Sequence, residues 1–374
     1  MNWTNIIGHE DLKKHLITNV NNGRIPHAQL LVGPEGSGVL QMAMAYAELI
    51  LCNNDEICSL RFKTFSHPDL HFLYPTVATD DVKTKPKSKD FLPIWREFLK
   101  EKPYGSLFDW YDLLDVKNKQ GEIRVDDAQE VLKTLSLKAF EGGYKVMIIW
   151  MADKMNISAS NKLLKILEEP LDKTVFLLIT EKEENIIQTI RSRCQVLNFL
   201  PLNNNQIAKS LITNENIEPN KAHKIALQAQ GNYNIALKLS SALTVAEPFE
   251  EWFVTWVRAA FRAKGNAAAI QDLILWSEQI AVLGRETQKK FLNYCINIFR
   301  QALLLNYQTE ELVYFEASVD KFSLEKFSPF VNGNNINDIF REISDAIYHI
   351  ERNGNAKIIL TDLSIKLTRL IHKK

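Results

Sequence analysis

Three glycines, Gly33, Gly36 and Gly38, lie in a short turn that could bind phosphate. The turn follows an apolar run and precedes a helical pattern. Such a turn surrounds a phosphate with backbone N–H groups and the positive end of a helix, as in a Walker A loop. A complete loop continues with lysine and then serine or threonine, but Val39 and Leu40 follow here. These side chains supply neither the cation for the β- and γ-phosphates nor the hydroxyl that holds magnesium.

Two further charged elements of a working nucleotide site are replaced. An apolar run ends where a Walker B strand would carry two acids, and Trp150 and Met151 occupy those positions. Asp153 follows, and we interpret it as a surface aspartate that caps the next segment. Near Gly231, the run GNYNIAL has the form of a lid helix, with Asn234 where an arginine would face the γ-phosphate. Three losses together predict an inert ATP site, with only weak nucleotide binding left to the glycines.

Two arginines, Arg191 and Arg193, lie in the segment TIRSRC beside Ser192 and Cys194. A guanidinium is always charged and offers a planar fork of donors to phosphate oxygens. The residues alone support two readings equally: surface charges at the end of a loop, or an arginine that acts on a phosphate.

The cysteines bear on metal binding and on the cellular compartment. The chain has only four, widely scattered, which argues against a secreted disulfide framework and indicates a reducing cytoplasm. Cys52 and Cys58 are the closest pair, whereas structural zinc needs four nitrogen or sulfur ligands. His67 and His71 could in principle complete a set, but His71 lies within a predicted strand. We therefore interpret the two cysteines as ordinary buried thiols and expect neither zinc nor another cofactor.

Composition describes a globular protein without a global attraction to nucleic acid. The 374 residues are 46% hydrophobic and 24% charged, and 45 lysines and arginines balance 45 aspartates and glutamates. The N-terminus lacks a signal-peptide pattern, and no apolar run approaches membrane-spanning length. We therefore expect a cytoplasmic protein with no membrane partner.

Strand and helix patterns alternate over the first 200 residues. This rhythm predicts an α/β domain with a mostly parallel sheet covered on both faces. The predicted strands are 28–32, 69–74, 144–150, 174–179 and 196–199, and the predicted helices are 41–51, 126–137 and 158–167.

The pattern lapses between about residues 77 and 121. The basic, proline-broken run KTKPKSK at 83–89 precedes an aromatic-rich stretch. We interpret the region as an insertion, partly flexible and partly packed. Its lysines could contact phosphate, but a solvated loop is the better reading.

Helical patterns alone follow Pro201. Three short helices, 203–211, 221–229 and 233–239, predict a small helical domain over 201–246. Residues 247–374 read as long amphipathic helices, with Phe291, Cys295 and Ile298 along one face. The predicted architecture is therefore an α/β core over 1–200, a helical lid domain and an all-α C-terminal domain.

Several segments together resemble the AAA-plus subunits of bacterial DNA polymerase III clamp loaders. The matches keep family order and span nearly the whole chain. They are RIPHAQLLVGPEGSG at 24–38, HPD at 67–69, SNKLLKILEEP at 160–170, TIRSRC at 189–194 and NGNAKIIL at 353–360.

The resemblance implies an AAA-plus core, a lid and a helical collar that holds five subunits in a ring. It implies gamma/tau and delta subunits, a sliding clamp and primed DNA within the assembly as partners. The lost lysine distinguishes this chain from the motor subunits gamma and tau, and Ser192-Arg193-Cys194 argues against delta. Arg193 would then be an arginine finger that reaches the γ-phosphate bound by a neighbouring gamma or tau subunit.

Two other functions stay open at this point. One is a catalytically active, gamma-like clamp-loader ATPase with an unorthodox loop, which the residues at 39, 40, 150 and 151 disfavour. The other is a free-standing AAA-plus protein of DNA repair, which the neutral charge disfavours.

Overall fold

The computed structural model describes residues 3–53, 55–116, 119–140, 143–241, 248–309, 312–315 and 317–373. The chain divides into two compact units. The first comprises Met1–Val116 and Gln120–Ala242, and the second contains Leu243–Lys374. The predicted boundary at residue 200 lies inside the first unit, so the division into three domains stays a prediction.

A five-stranded parallel sheet forms the centre of the first unit. The strand order is β2-β3-β4-β1-β5, and every neighbouring pair is parallel. All residues of β3 and β4 are buried, as expected for strands covered on both faces. The predicted α/β class is confirmed, with strand ends within two residues of the prediction. The strands are β1 Ala28–Val32, β2 Leu70–Leu73, β3 Lys145–Ile149, β4 Thr174–Thr180 and β5 Gln195–Asn198.

Helices cover both faces of this sheet. One face packs against α2 and the insertion, and the opposite face packs against α6 and α7. The helices are α1 Glu10–Asn21, α2 Val39–Cys52, α3 Glu56–Lys63, α4 Leu92–Glu101, α5 Leu107–Leu113, α6 Val125–Ser136, α7 Ile157–Glu168 and α8 Gln188–Arg191.

Three further helices complete the first unit, in the region predicted to be the lid. They are α9 Asn204–Glu215, α10 Pro219–Ala229 and α11 Tyr233–Ser240. The side chain of Asn203 accepts a hydrogen bond from Gln206 N, and that of Asn232 accepts one from Ile235 N. These caps satisfy N–H groups that the first turn leaves without helical partners. Ile207, Leu211 and Ala226 are buried in a cluster that also contains Ile7 and Tyr104.

The second unit is helical, as predicted. Phe291, Cys295 and Ile298 are fully buried along α14, which confirms the apolar face expected from the sequence. The helices are α12 Phe249–Arg262, α13 Ala267–Ala281, α14 Arg285–Asn306, α15 Leu324–Phe327, α16 Ile336–Glu351 and α17 Ala356–Leu370.

Across the described ranges, each helix is too short or too polar to cross a membrane.

Candidate functional site

The glycine turn connects β1 to α2, where a phosphate loop would stand. Gly36 and Gly38 have φ angles of 72° and 90°, a region that favours glycine. A Cβ atom at Gly33 would lie 2.7 Å from both Phe199 Cβ and Val39 Cγ2. The turn therefore needs its glycines for backbone geometry and close packing, whether or not a phosphate binds.

Val39 and Leu40 are the first two residues of α2, and both are buried. Their side chains belong to the apolar core that also contains Trp150 and Met151. The positions that would carry the lysine and hydroxyl of a Walker A loop thus lie in the same core as the positions of the Walker B acids. A phosphate chain with its metal needs cations and oxygen ligands, and these four side chains offer neither.

Trp150 follows β3 directly and packs into an aromatic cluster supplied by the insertion. Its ring centroid lies 5.2 Å from that of Trp95 and 5.4 Å from that of Phe98. Trp110 packs on both insertion rings, and all four side chains are buried. The insertion was predicted to be partly packed. Its aromatic side chains pack against the end of β3, where a working ATPase would carry its catalytic acids.

Asp153 is not the surface aspartate that we predicted. Its side chain is only 4% exposed and forms an ion pair of 3.0 Å with Lys154. It also accepts a hydrogen bond of 3.0 Å from the Thr180 hydroxyl, at the end of β4. A buried carboxylate needs such donors. Through them, the aspartate connects the segment after β3 to the neighbouring strand β4.

The start of the lid helix α11 lies directly on the glycine turn. Tyr233 N donates to Gly36 O at 3.1 Å, and Asn232 Nδ2 donates to Glu35 Oε1 at 3.2 Å. A Cβ atom at Gly36 would lie 1.9 Å from Asn232 Oδ1. The turn and the lid are therefore in contact through the chain's own groups. Asn234, at the position where a working site would carry an arginine, is buried and faces the insertion, as its hydrogen bond to Asp109 shows.

Arg193 lies just after α8, in front of β5, and its side chain is 33% exposed. It forms an ion pair of 2.5 Å with Glu168 Oε1, and Nη1 donates to Thr189 O at 2.8 Å. Glu168 is itself 47% exposed, and ion pairs at such sites contribute about 0–1 kcal/mol to stability. The guanidinium could therefore leave this carboxylate and bind a more highly charged anion with little loss of stability in this chain.

The residues beside Arg193 have mainly local roles. Arg191 pairs with Glu183 at 3.6 Å and donates to Gln188 Oε1 at 2.6 Å. The exposed Ser192 donates to Thr189 O at 3.1 Å. Burial raises the pKa of the Cys194 thiol to about 11, so this thiol is neutral and a poor nucleophile near pH 7.

Cys52 and Cys58 are joined in a disulfide, so the interpretation as two ordinary thiols was wrong. The two residues lie at the end of α2 and in the short helix α3, and this turn brings their Cα atoms to 5.3 Å. His67 is buried beside them, and the three donor atoms lie within 4.8 Å of one another.

This group does not fit a structural zinc ion. The bonded sulfurs are not thiolates, and among the described residues the group numbers three donors instead of the four that such a site requires. The absence of zinc and of other cofactors stays a prediction.

Three of the four lysines in the 83–89 run lie beside acids of α6. Lys87 and Lys89 pair with Glu130 at 3.5 and 2.8 Å, and Lys85 lies 4.0 Å from Asp126. Lys85 and Lys89 are exposed, which agrees with the predicted solvated loop.

Comparison with known proteins identifies the family. A family model described as DNA polymerase III, delta subunit, matches residues 8–203, which is more than half of the chain. This chain belongs to the DNA polymerase III delta-subunit family. The resemblance inferred from the motifs is thereby confirmed.

Relatives within this family are named delta′. DNA polymerase III subunit delta′ of Bacillus subtilis is 30% identical over 220 residues, 57% of this chain and 54% of the relative. The subunit of the same name from Pseudomonas aeruginosa is 30% identical over 45% of this chain and 41% of the relative. DNA polymerase III subunit tau/gamma of Haemophilus influenzae is 25% identical over 64% of this chain and 30% of the relative. The chain spans about half the length of the delta′ relatives.

Among solved structures, a gamma subunit-related protein of DNA polymerase III from Thermotoga maritima covers 97% of this chain and 99% of its own, at 13% identity and a TM-score of 0.39. This likeness is too distant to carry an argument about function.

The structure brings two of the family-like motifs together. Arg193 of the segment TIRSRC contacts Glu168 of the segment SNKLLKILEEP through the ion pair described above. Sequence reasoning did not predict this partner. It also did not predict two contacts between the insertion and the lid: Tyr104 packs on Tyr233, and Asp109 pairs with Lys238 at 2.6 Å. One signal was available for the insertion: a tryptophan at the end of a central strand needs apolar partners, and the nearby insertion is rich in aromatic residues.

Proposed function

We propose that this chain is an ATPase-inactive, delta-prime-type subunit of a DNA polymerase III clamp loader. In this proposal it acts in the cytoplasm with gamma/tau and delta subunits and helps to place a sliding clamp on primed DNA. Family membership and the delta′ relatives support the assignment. The observation that carries the inactive site is the burial of Val39, Leu40, Trp150 and Met151 in one apolar core.

The same proposal gives Arg193 a role outside its own subunit. Its guanidinium would reach the γ-phosphate of ATP bound by a neighbouring gamma or tau subunit. Partial exposure and a carboxylate partner that is half exposed support this role, because the side chain can leave Glu168 without breaking a core interaction. An arginine supplied to a neighbouring site stabilises the charge that develops on the transferred phosphoryl group.

The two alternative functions have less support. A working gamma-like ATPase would need the buried positions at 39, 40, 150 and 151 to face nucleotide and magnesium. A free-standing DNA-repair protein would need a basic surface, whereas Lys87 and Lys89 of the insertion are paired with Glu130 of α6 and the net charge is zero.

Assembly with the other loader subunits tests the proposal. We expect the chain to co-purify in one complex with gamma/tau and delta subunits of the same organism. A loader reconstituted without the chain should lose most of its clamp loading, because a ring that lacks one subunit lacks two of its interfaces. Size-exclusion chromatography measures assembly of the complex, and an assay on primed DNA measures clamp loading. Full loading by the remaining subunits would contradict the assignment.

A further inference from the structure

The tip of the insertion occupies the space between the glycine turn and the lid helix. The ring of Tyr104 lies against the turn, since a Cβ atom at Gly38 would be 3.1 Å from Tyr104 Cε1. The same ring packs edge-on against Tyr233 of the lid, with centroids 4.8 Å apart. Its hydroxyl accepts a hydrogen bond of 3.2 Å from Ile7 N. One buried side chain thus contacts the N-terminal segment, the phosphate-type turn and the lid.

Asp109 makes the second contact between insertion and lid. Its side chain is 4% exposed, and it accepts hydrogen bonds from Asn234 Nδ2 at 2.7 Å and from Lys238 Nζ at 2.6 Å. Burial alone would raise the pKa of this carboxyl, but the charge and hydrogen bond of Lys238, with the donors of Ser106, outweigh burial and hold the pKa well below its usual range. An anion therefore sits at the face of the lid helix that carries Asn234.

We propose that the insertion acts as a built-in ligand of the degenerate nucleotide site, which lies between the glycine turn and the lid helix α11. Tyr104 fills space that a nucleotide would occupy, and the Asp109 carboxylate takes the place of an anion of the ligand at the lid helix. The lid is then held against the core with no bound nucleotide. This inference rests on the proposed idle site and adds what occupies it. In a nucleotide-dependent subunit the lid position would follow the state of the ligand, whereas a covalently attached ligand fixes one position.

Local capping does not account for the arrangement by itself. Asp109 is also the third residue of α5, where it accepts hydrogen bonds from Ser106 N and Oγ at 2.8 and 2.7 Å. A capping box needs only the bond from Ser106 N to the Asp109 carboxylate and the reciprocal bond from Asp109 N to Ser106 Oγ. The contacts to Asn234 and Lys238 join segments more than 120 residues apart, so a substitution at Lys238 separates the two roles.

Hydrogen exchange of the full chain tests the internal ligand. In Asp109→Asn and in Lys238→Met, the amides of α11, Tyr233–Ser240, should exchange about tenfold faster or more, because the lid loses its ion pair to the insertion. Asp112→Asn is the matched control on the same helix: Asp112 is 54% exposed and lies 4.0 Å from Lys102. That variant should leave α11 unchanged.

The outcomes separate this inference from the idle site. Unchanged α11 exchange in both variants would overturn the internal ligand and leave the idle site in place. Faster exchange in Asp109→Asn alone would assign Asp109 to capping and also overturn it. Slower α11 exchange of the unaltered chain on addition of magnesium-ATP would overturn both, because nucleotide would then have displaced the insertion.

Discussion

Replacing Arg193 with alanine should lower the ATPase of the reconstituted clamp loader while this chain stays folded. The side chain is 33% exposed and its ion pair reaches a half-exposed carboxylate, so its loss should cost the chain about 1 kcal/mol or less. At the neighbouring site, an arginine finger accounts for about 10³–10⁵ in rate. That site should become nearly silent while the other motor sites continue, so the loss should be partial. The measurement is ATP hydrolysis stimulated by clamp and primed DNA.

Two matched variants give this prediction its controls. Arg191→Ala removes a neighbouring guanidinium that pairs with Glu183, and Val39→Ala alters the site that we propose to be inactive. Both should leave the stimulated ATPase nearly unchanged in the same assembly. Normal ATPase and clamp loading with Arg193→Ala would show that Arg193 is a surface charge, and the subunit would then be a scaffold without a catalytic contribution.

Replacing Trp150 with aspartate, which restores an acid at the Walker B position, should destabilise the first unit strongly. Trp150 is 2% exposed and packs on Trp95 and Phe98. Removing a buried tryptophan side chain costs about 3–5 kcal/mol, and a carboxylate left in an apolar site adds to that cost. We expect a loss of at least about 4 kcal/mol in the free energy of unfolding, measured by urea denaturation, and no gain of ATP binding.

Trp150→Phe is the control, because it keeps an aromatic ring in the cluster and should cost clearly less. The prediction fails if Trp150→Asp unfolds within about 1 kcal/mol of the unaltered chain. Such a result would mean that the end of β3 is hydrated and open to a cation, as in a working ATPase.

The sheet and its helices could be predicted because their signals are local. Buried parallel strands are continuous apolar runs, and the glycine turn between β1 and α2 has few structural alternatives. The substitutions at Val39 and Trp150 also indicated a changed site, since a missing charge is visible in the sequence itself. For these features, residue type and position along the chain were sufficient for the prediction.

The occupant of the site could not be predicted, because it depends on contacts between distant segments. Nothing local to Asp109 distinguishes a capping aspartate from one that also binds Lys238, 129 residues later. The burial of Asp153 depends on Thr180 in the same way. The disulfide was missed for another reason: the low cysteine content favoured free thiols, and only the turn between α2 and α3 brings Cys52 and Cys58 together.

Titration of the isolated chain with magnesium-ATP in a calorimeter tests the central claim most directly. That claim is that the nucleotide position has become part of the protein core. We expect no binding at micromolar concentrations, because Val39 and Leu40 supply neither a cation nor a hydroxyl. Trp150 and Met151 are buried in the same apolar core as Val39 and Leu40 and supply no carboxylate for magnesium. A dissociation constant in the micromolar range, with magnesium required, would contradict the claim and favour a working ATPase.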